Sequence, residues 1–433
     1  MSNPLYLQRC ISAECCAEFD LDARLYVCSR CGGLLDIERC EEIATDSLRE
    51  IWLTRRASFD SRDRSGVWRF REFLPFPEDA DVVSLGEGNT PLYDAPRSAD
   101  YCRLPQLKLK HQGCNPTGSF KDTGMTVAVT QARKLGARLV VCASTGNTAA
   151  SLAAYAARAS LQCAIIVPAG QVSHAKLAQA LDYGAKVLEI DGNFDASMSV
   201  IRELAEDESI YLVNSINPFR IEGQKTVAFE LAEQLEWRVP DHLVLPGGNL
   251  GNSSAFGKGF RELLKSGLID RQPKITVVQA EGAAPFARFY SDEVHSEFVN
   301  EEHPKTLASA IKIGAPVSWQ KAWRAVHETG GSVITVTEQE IADAKAVIGR
   351  DGIGCEPASA TTVAGIRKLG INENESVVAV LTGHVLKDTD YVIKYHNELL
   401  TDPDERRLES RFANAPIRVA ASADAIRDRI YKM

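Results

Sequence analysis

The sequence holds 433 residues, of which 45% are hydrophobic and 25% charged, with a formal net charge of −9. That length exceeds one small core, so two or three domains are expected. The acidic balance lacks the concentrated basic face of a broad nucleic-acid or membrane surface, and no apolar run approaches the roughly 20 residues of a membrane span.

The opening "MSNPLYLQRC" has no basic stretch followed by an apolar one, so no secretory leader is expected and the cytoplasm is the expected compartment. Six of the eleven cysteines fall within the first forty residues. Cys10 forms a loose pair with Cys15 or Cys16, and Cys28 and Cys31 in "CSRCGG" form a tight knuckle. Residues 1–45 therefore read as a Cys-rich ribbon, in which Cys10, Cys15, Cys28 and Cys31 are the candidate zinc ligands. A ribbon that has lost its metal, or free thiols, fits the same spacing. The remaining cysteines (Cys102, Cys114, Cys142, Cys163 and Cys355) lie among apolar segments and are expected to be reduced core residues.

A charged, helical stretch follows, "SLREIWLTRRASFDSRDRSGVWRFREFLP", a connecting arm that Trp52 and Trp68 would anchor on the body. Beyond Val82 short strands alternate with helices. "RLVVCAS" precedes "TAASLAAYAARAS"; "CAIIVPA" precedes "HAKLAQALDYG"; "AKVLEIDG" precedes "DASMSVIRELAED" and "IYLVNS". Later "HLVLPGG", "KITVVQAEG" and "VVAVLTG" each run into glycine. This alternation predicts an α/β protein with parallel sheets covered on both faces, and ligands at their carboxyl ends. Residues 46–125 together with 213–399 are expected to form a large domain, and 126–212 a smaller α/β domain. The tail 400–433 is mixed in charge, helical at its end and carries no recognisable chemistry.

Four segments carry candidate chemistry. In "NPTGSFKDTG" Ser119 is the expected helix cap and Lys121 lies in the first turn, where amide groups and the positive helix end disfavour a protonated amine. Such an amine suits Schiff-base chemistry, although the segment alone fits an ordinary lysine better. "ASTGNTAAS" places Ser144, Thr145, Asn147 and Thr148 at one helix start, an anion cradle or simply a well-capped helix. "LPGGNLGNSSAFGKGF" is strand, glycine turn and helix; Gly247, Gly248 and Gly251 admit a phosphate monoester, and an unliganded tight turn fits equally. "VAVLTGHVLKD" ends a buried strand at Thr382, whose hydroxyl suits a neutral ring nitrogen.

In order and wording, "LGEGNTPL", "NPTGSFKD", "ASTGNTAAS", "NSINPFRIEGQKT", "PGGNLGN", "AEGAAPF", "CEPASATTVAG" and "LTGHVLKD" resemble the threonine synthase family. These enzymes belong to the fold-type II, tryptophan-synthase-β-like group that uses pyridoxal 5′-phosphate (PLP). The resemblance runs from about Leu85 to Asp388, and "CSRCGGLLDIE" resembles the ribbon at the front of many members. It implies two parallel-sheet α/β domains, a homodimer, and a reaction that converts O-phospho-L-homoserine and water to L-threonine and phosphate. By the same resemblance Lys121 bonds the PLP aldehyde and then moves protons, and Phe120 packs near the ring. Asn147 meets the phenolic oxygen and Thr382 faces the ring nitrogen. Gly247, Gly248, Asn249, Leu250 and Gly251 wrap the cofactor phosphate. Asn214, Ser215 and Arg220 would take the substrate phosphate, with Thr148 and Asn252 as further donors, while Ser84, Glu87 and Thr90 would line the carboxylate loop. Two departures bear on substrate choice: Thr123 stands where many relatives carry arginine, and Gln112 where glutamate is frequent. Alternatives on the same scaffold are a cysteate synthase-like β-replacement on O-phosphoserine and a non-catalytic metabolite sensor.

Overall fold

The computed structural model describes residues 5–170, 174–191, 200–201, 203–204, 206–292 and 297–431. The strands in chain order are β1 (Tyr6–Cys10), β2 (Glu18–Asp20), β3 (Leu35–Arg39), β4 (Leu92–Asp94), β5 (Leu107–His111), β6 (Leu139–Ala143), β7 (Gln162–Pro168), β8 (Lys186–Ile190), β9 (Ile210–Leu212), β10 (His242–Pro246), β11 (Lys274–Ala280), β12 (Ser332–Val336) and β13 (Val377–Leu381). They form three sheets. The Cys-rich ribbon is antiparallel, in the order β2-β1-β3. A six-stranded sheet runs β12-β11-β10-β13-β5-β4, parallel except for its edge strand β4. A four-stranded parallel sheet runs β8-β7-β6-β9.

Strands β10, β11 and β13 read as continuous apolar or β-branched runs because helices cover both faces of their sheet, and they are buried almost throughout. The helix Pro218–Gln234 is buried along nearly its whole length. It starts with Pro at its first turn and with the Asn217 side chain accepting the amide of Phe219 at 3.0 Å, a regular N-terminal cap. It packs directly against the helix Lys121–Lys134: a Cβ placed on Gly223 would lie 1.9 Å from the carbonyl oxygen of Thr123, and one on Gly124 2.7 Å from that of Arg220. Glycine at both positions brings Lys121 and Arg220 onto neighbouring backbones.

The arm after the ribbon is anchored as expected. Trp52 is buried and lies parallel to Phe229, with edge contacts to Phe70 and Phe73. Trp68 packs on Phe76 and donates its indole N–H to Thr126 at 2.7 Å. At the far end Leu400 and Leu408 pack with Tyr391 and Tyr395, whereas the helix Ala423–Ile430 buries no side chain. Among the described residues no helix is long and apolar enough to cross a membrane.

Two expectations need correction, and a third falls largely outside the described residues. Cys114 is exposed and Cys102 only half-buried, so only Cys142, Cys163 and Cys355 are core thiols. Ser119 does not cap its helix: Phe120 occupies the cap position and the Ser119 hydroxyl, though buried, has no partner. The expected helix "DASMSVIRELAED" lies mostly outside the described residues.

Candidate active site

The end of β13 organises the site. The amide of Phe120 donates to the carbonyl of Thr382 at 2.9 Å, and Ser119 bridges to Gly383, so the lysine turn is stitched to the strand end. Lys121 then opens its helix half-buried, with Nζ 4.1 Å from the centre of the Phe120 ring. Burial lowers its pKa to about 7; the Arg220 cation adds to the fall, and the Glu356 carboxylate opposes it. Neutral amine is therefore abundant near pH 7, as attack on an aldehyde requires.

Glu356 is the residue the sequence reading missed. It accepts from Asn147 Nδ2 at 3.0 Å and from Thr382 Oγ1 at 3.3 Å, and burial raises its pKa. Asn147 and Thr382, expected at opposite sides of a cofactor ring, are thus joined by one carboxylate. Ser359 supports them, with its hydroxyl 3.1 Å from that of Thr382 and accepting the amides of Thr382 and Gly383. The detectable signal was an acidic residue directly before the proline that opens the helix Pro357–Ile366.

The glycine loop closes another side. Gly247 leaves β10 so close to β11 that a Cβ would meet Val277 at 2.6 Å and Gln279 at 2.8 Å, so only glycine fits there. Leu250 adopts φ +64° and Gly251 begins a 15-residue helix, turning its free amides toward the loop. The Asn249 carbonyl accepts the amide of Ser318 at 3.1 Å, which pins the loop from outside. Thr148 and the rest of the 144–148 cradle are half-exposed at the start of the helix Asn147–Arg158.

Arg220 is 3% exposed, has no carboxylate partner among the described residues, and leaves Nε unbonded. Burial draws its pKa down to about 10. Nearby Asn214 pins the end of β6, bonding both the amide (3.0 Å) and the carbonyl (3.1 Å) of Ala143, and Ser215 follows it half-buried. Asn252 Nδ2 donates to Gln112 Oε1 at 3.2 Å, while Asn252 Oδ1, Gln112 Nε2, Ser253 Oγ, Gln224 Oε1 and Ser119 Oγ are buried without partners. Buried polar atoms are normally satisfied, so this concentration around Lys121 and the glycine loop marks a site built for a polar guest. Unpartnered donors and acceptors, a neutral amine and the Gly247–Gly251 turn suit an aldehyde bearing a phosphate monoester; PLP fits.

Ser84 and Thr90, expected to line the carboxylate loop, each bond a buried carboxylate of the protein. The Ser84 hydroxyl bonds the Glu87 carboxylate at 3.1 Å, and Glu87 is fully buried with Tyr155 OH at 2.7 Å. Thr90 gives its amide (2.8 Å) and hydroxyl (3.1 Å) to Glu230, which also binds Lys110. Both residues shape the loop through buried carboxylates.

A model of the family described as "Pyridoxal-phosphate dependent enzyme" matches residues 83–383. The threonine synthase of Methanosarcina acetivorans is 44% identical over 99% of both chains, and that of Methanocaldococcus jannaschii 46% identical over 90% of this chain and 95% of its own. This chain belongs to the threonine synthase family of PLP-dependent enzymes. In fold it resembles the threonine synthase of Escherichia coli, with a TM-score of 0.67 at 18% identity over 94% of this chain and 95% of that one. Tomato threonine deaminase isoform 2 gives 0.61 at 20% identity over 79% and 86%. The family match spans the four segments around Lys121, Asn147, Gly247 and Thr382.

Proposed function

We propose that this threonine synthase converts O-phospho-L-homoserine and water to L-threonine and inorganic phosphate. The observation that carries the choice of a phosphorylated substrate is Arg220: a buried guanidinium with no carboxylate partner among the described residues, on the helix that packs against the Lys121 helix. A cofactor phosphate in the loop leaves that cation for a second anion, and its planar fork suits phosphate oxygens. Asn214, Ser215, Thr148 and Asn252 would add donors.

Bound PLP supplies an electron sink that acidifies the substrate Cα proton. Lys121 would be tethered to the cofactor at rest and released as a neutral amine when substrate binds. It would then take the Cα proton and a Cβ proton, while the Cγ–O bond breaks and Arg220 holds the departing phosphate. Returned to Cγ, a proton completes the methyl group; water then adds its oxygen at Cβ and its hydrogen returns through Lys121 to Cα. Thr382, held by Ser359, would face the ring nitrogen as a neutral hydroxyl, and Gly247–Gly251 would anchor the cofactor phosphate. Asn147, held by Glu356, would help orient the cofactor ring through its phenolic oxygen.

The test is a paired assay with O-phospho-L-homoserine that reads phosphate and threonine together. Equimolar formation of both supports the proposal. Turnover of O-phosphoserine with sulfite, in place of threonine formation, overturns it in favour of the β-replacement reading.

A further inference from the structure

The ribbon holds four thiols that no step of the reaction uses. Cys10, Cys15, Cys28 and Cys31 place their sulfurs within 4.8 Å of one another, with Cys10–Cys31 at 3.4 Å and Cys15–Cys28 at 3.7 Å. All are free, and these separations are far longer than a disulfide bond. They suit a metal instead: sulfurs about 2.3 Å from a central zinc in a tetrahedron stand about 3.8 Å apart. The amide of Gly33 points at the Cys31 sulfur at 3.4 Å, the outer hydrogen bond that steadies a thiolate ligand. Cys16, the alternative partner for Cys10, turns away: its thiol bonds the Ser12 and Ala13 carbonyls at 3.5 and 3.2 Å.

The strand leaving this cluster, β3, does not end in solvent. Asp36 accepts from Lys258 at 3.0 Å and lies 3.6 Å from Lys321, and Lys321 donates to the Leu35 carbonyl at 2.6 Å. Lys258 also pairs with Glu222, and Lys225 bridges Glu222 at 2.7 Å and Glu262 at 2.8 Å. Lys258 and Glu262 belong to the helix that Gly251 opens, so the network is tied to the element that carries the glycine loop, about two to three turns along it. Its three carboxylates and three ammonium groups balance only while Asp36 is in place, and a buried cation that loses its partner is strongly destabilising.

We propose that Cys10, Cys15, Cys28 and Cys31 bind one zinc ion, and that the zinc-held ribbon is a strut which keeps Asp36 under the glycine-loop helix. The strut role rests on the PLP site above, whereas zinc binding is independent of it.

Elemental analysis of the dialysed full-length protein should find one zinc per chain, absent from the Cys28→Ser, Cys31→Ser double variant. Should that variant fail to fold, wild-type protein loaded with cobalt instead should show the absorption of tetrahedral thiolate-bound cobalt. No zinc and no such spectrum would overturn the site. Stripping zinc from the wild type should lower the melting temperature and weaken PLP binding by the apo-chain at least several-fold, read by fluorescence quenching. Zinc bound, yet without effect on either, would overturn the strut.

Discussion

At the scale of single residues the site is a balance between two buried cations and one carboxylate. Lys121 sits near pH 7 because burial and Arg220 depress it while Glu356 lifts it. Only the neutral amine captures an aldehyde, so covalent PLP capture by the apo-protein, trapped with borohydride, should rise as pH climbs through about 7. Arg220→Met removes a neighbouring positive charge, raises the Lys121 pKa and should shift that rise to higher pH. Glu356→Gln removes the opposing negative charge and should shift it lower. Unmoved midpoints in both would refute the electrostatic account. Arg220→Met should also raise KM for O-phospho-L-homoserine at least tenfold while PLP stays bound; loss of the cofactor would reassign the residue. Lys121, Asn147, Gly247 and Thr382 could be singled out as candidates because each stands at a strand end or helix start. Each segment alone, however, fitted an ordinary cap or turn, and it was the order of all the segments that pointed to one family. Glu356 could not be singled out, since nothing local to "CEPASA" announces that its carboxylate will reach Asn147, about 200 residues away. Nor does the sequence reveal that Glu230 engages Thr90, because that bond joins a loop to a helix 140 residues away.

At the scale of elements, two helices in backbone contact set the distance from the Lys121 amine to the Arg220 guanidinium. Gly223→Ala forces a methyl group into the Thr123 carbonyl, where backbone cannot yield cheaply. It should destabilise the protein by about 1–3 kcal/mol and raise KM by moving Arg220. Gly349 provides the contrast: it lies in the last turn of the helix Glu338–Arg350 with open space where a Cβ would sit. Gly349→Ala should leave kinetics alone and stabilise by up to about 1 kcal/mol, measured by denaturant unfolding. The strand and helix sequence was readable because buried parallel strands are apolar throughout and are punctuated by glycine. What periodicity does not show is the close approach at Gly124 and Gly223, whose glycines look like ordinary helix weaknesses in one dimension. The failed Ser119 cap has the same origin: the turn is fixed by its bonds to Thr382 and Gly383, and the hydroxyl is left over.

At the scale of the whole molecule, polar links join segments attached to the four-stranded sheet to segments attached to the six-stranded one: Asn147 to Glu356, and a second through Lys387. Lys387, after β13, donates to Gln179 on the helix His174–Asp182, and Gln179 donates in turn to the Thr117 carbonyl at 3.3 Å. Lys387→Met should loosen this tie, raise KM and increase amide exchange in the lysine turn; unchanged exchange would show that the tie is incidental. The exposed Ala423–Ile430 helix touches nothing buried, and removing residues 420–433 should leave both melting temperature and turnover within about twofold. The guanidinium of Arg220, which meets the Val213 carbonyl but no carboxylate among the described residues, has one more implication. A chamber shaped to receive the leaving group cannot refuse it afterwards, so orthophosphate should compete with substrate and protect the resting protein against heat. The enzyme would then slow as its own inorganic product accumulates, which couples its throughput to how fast the surroundings carry that ion away.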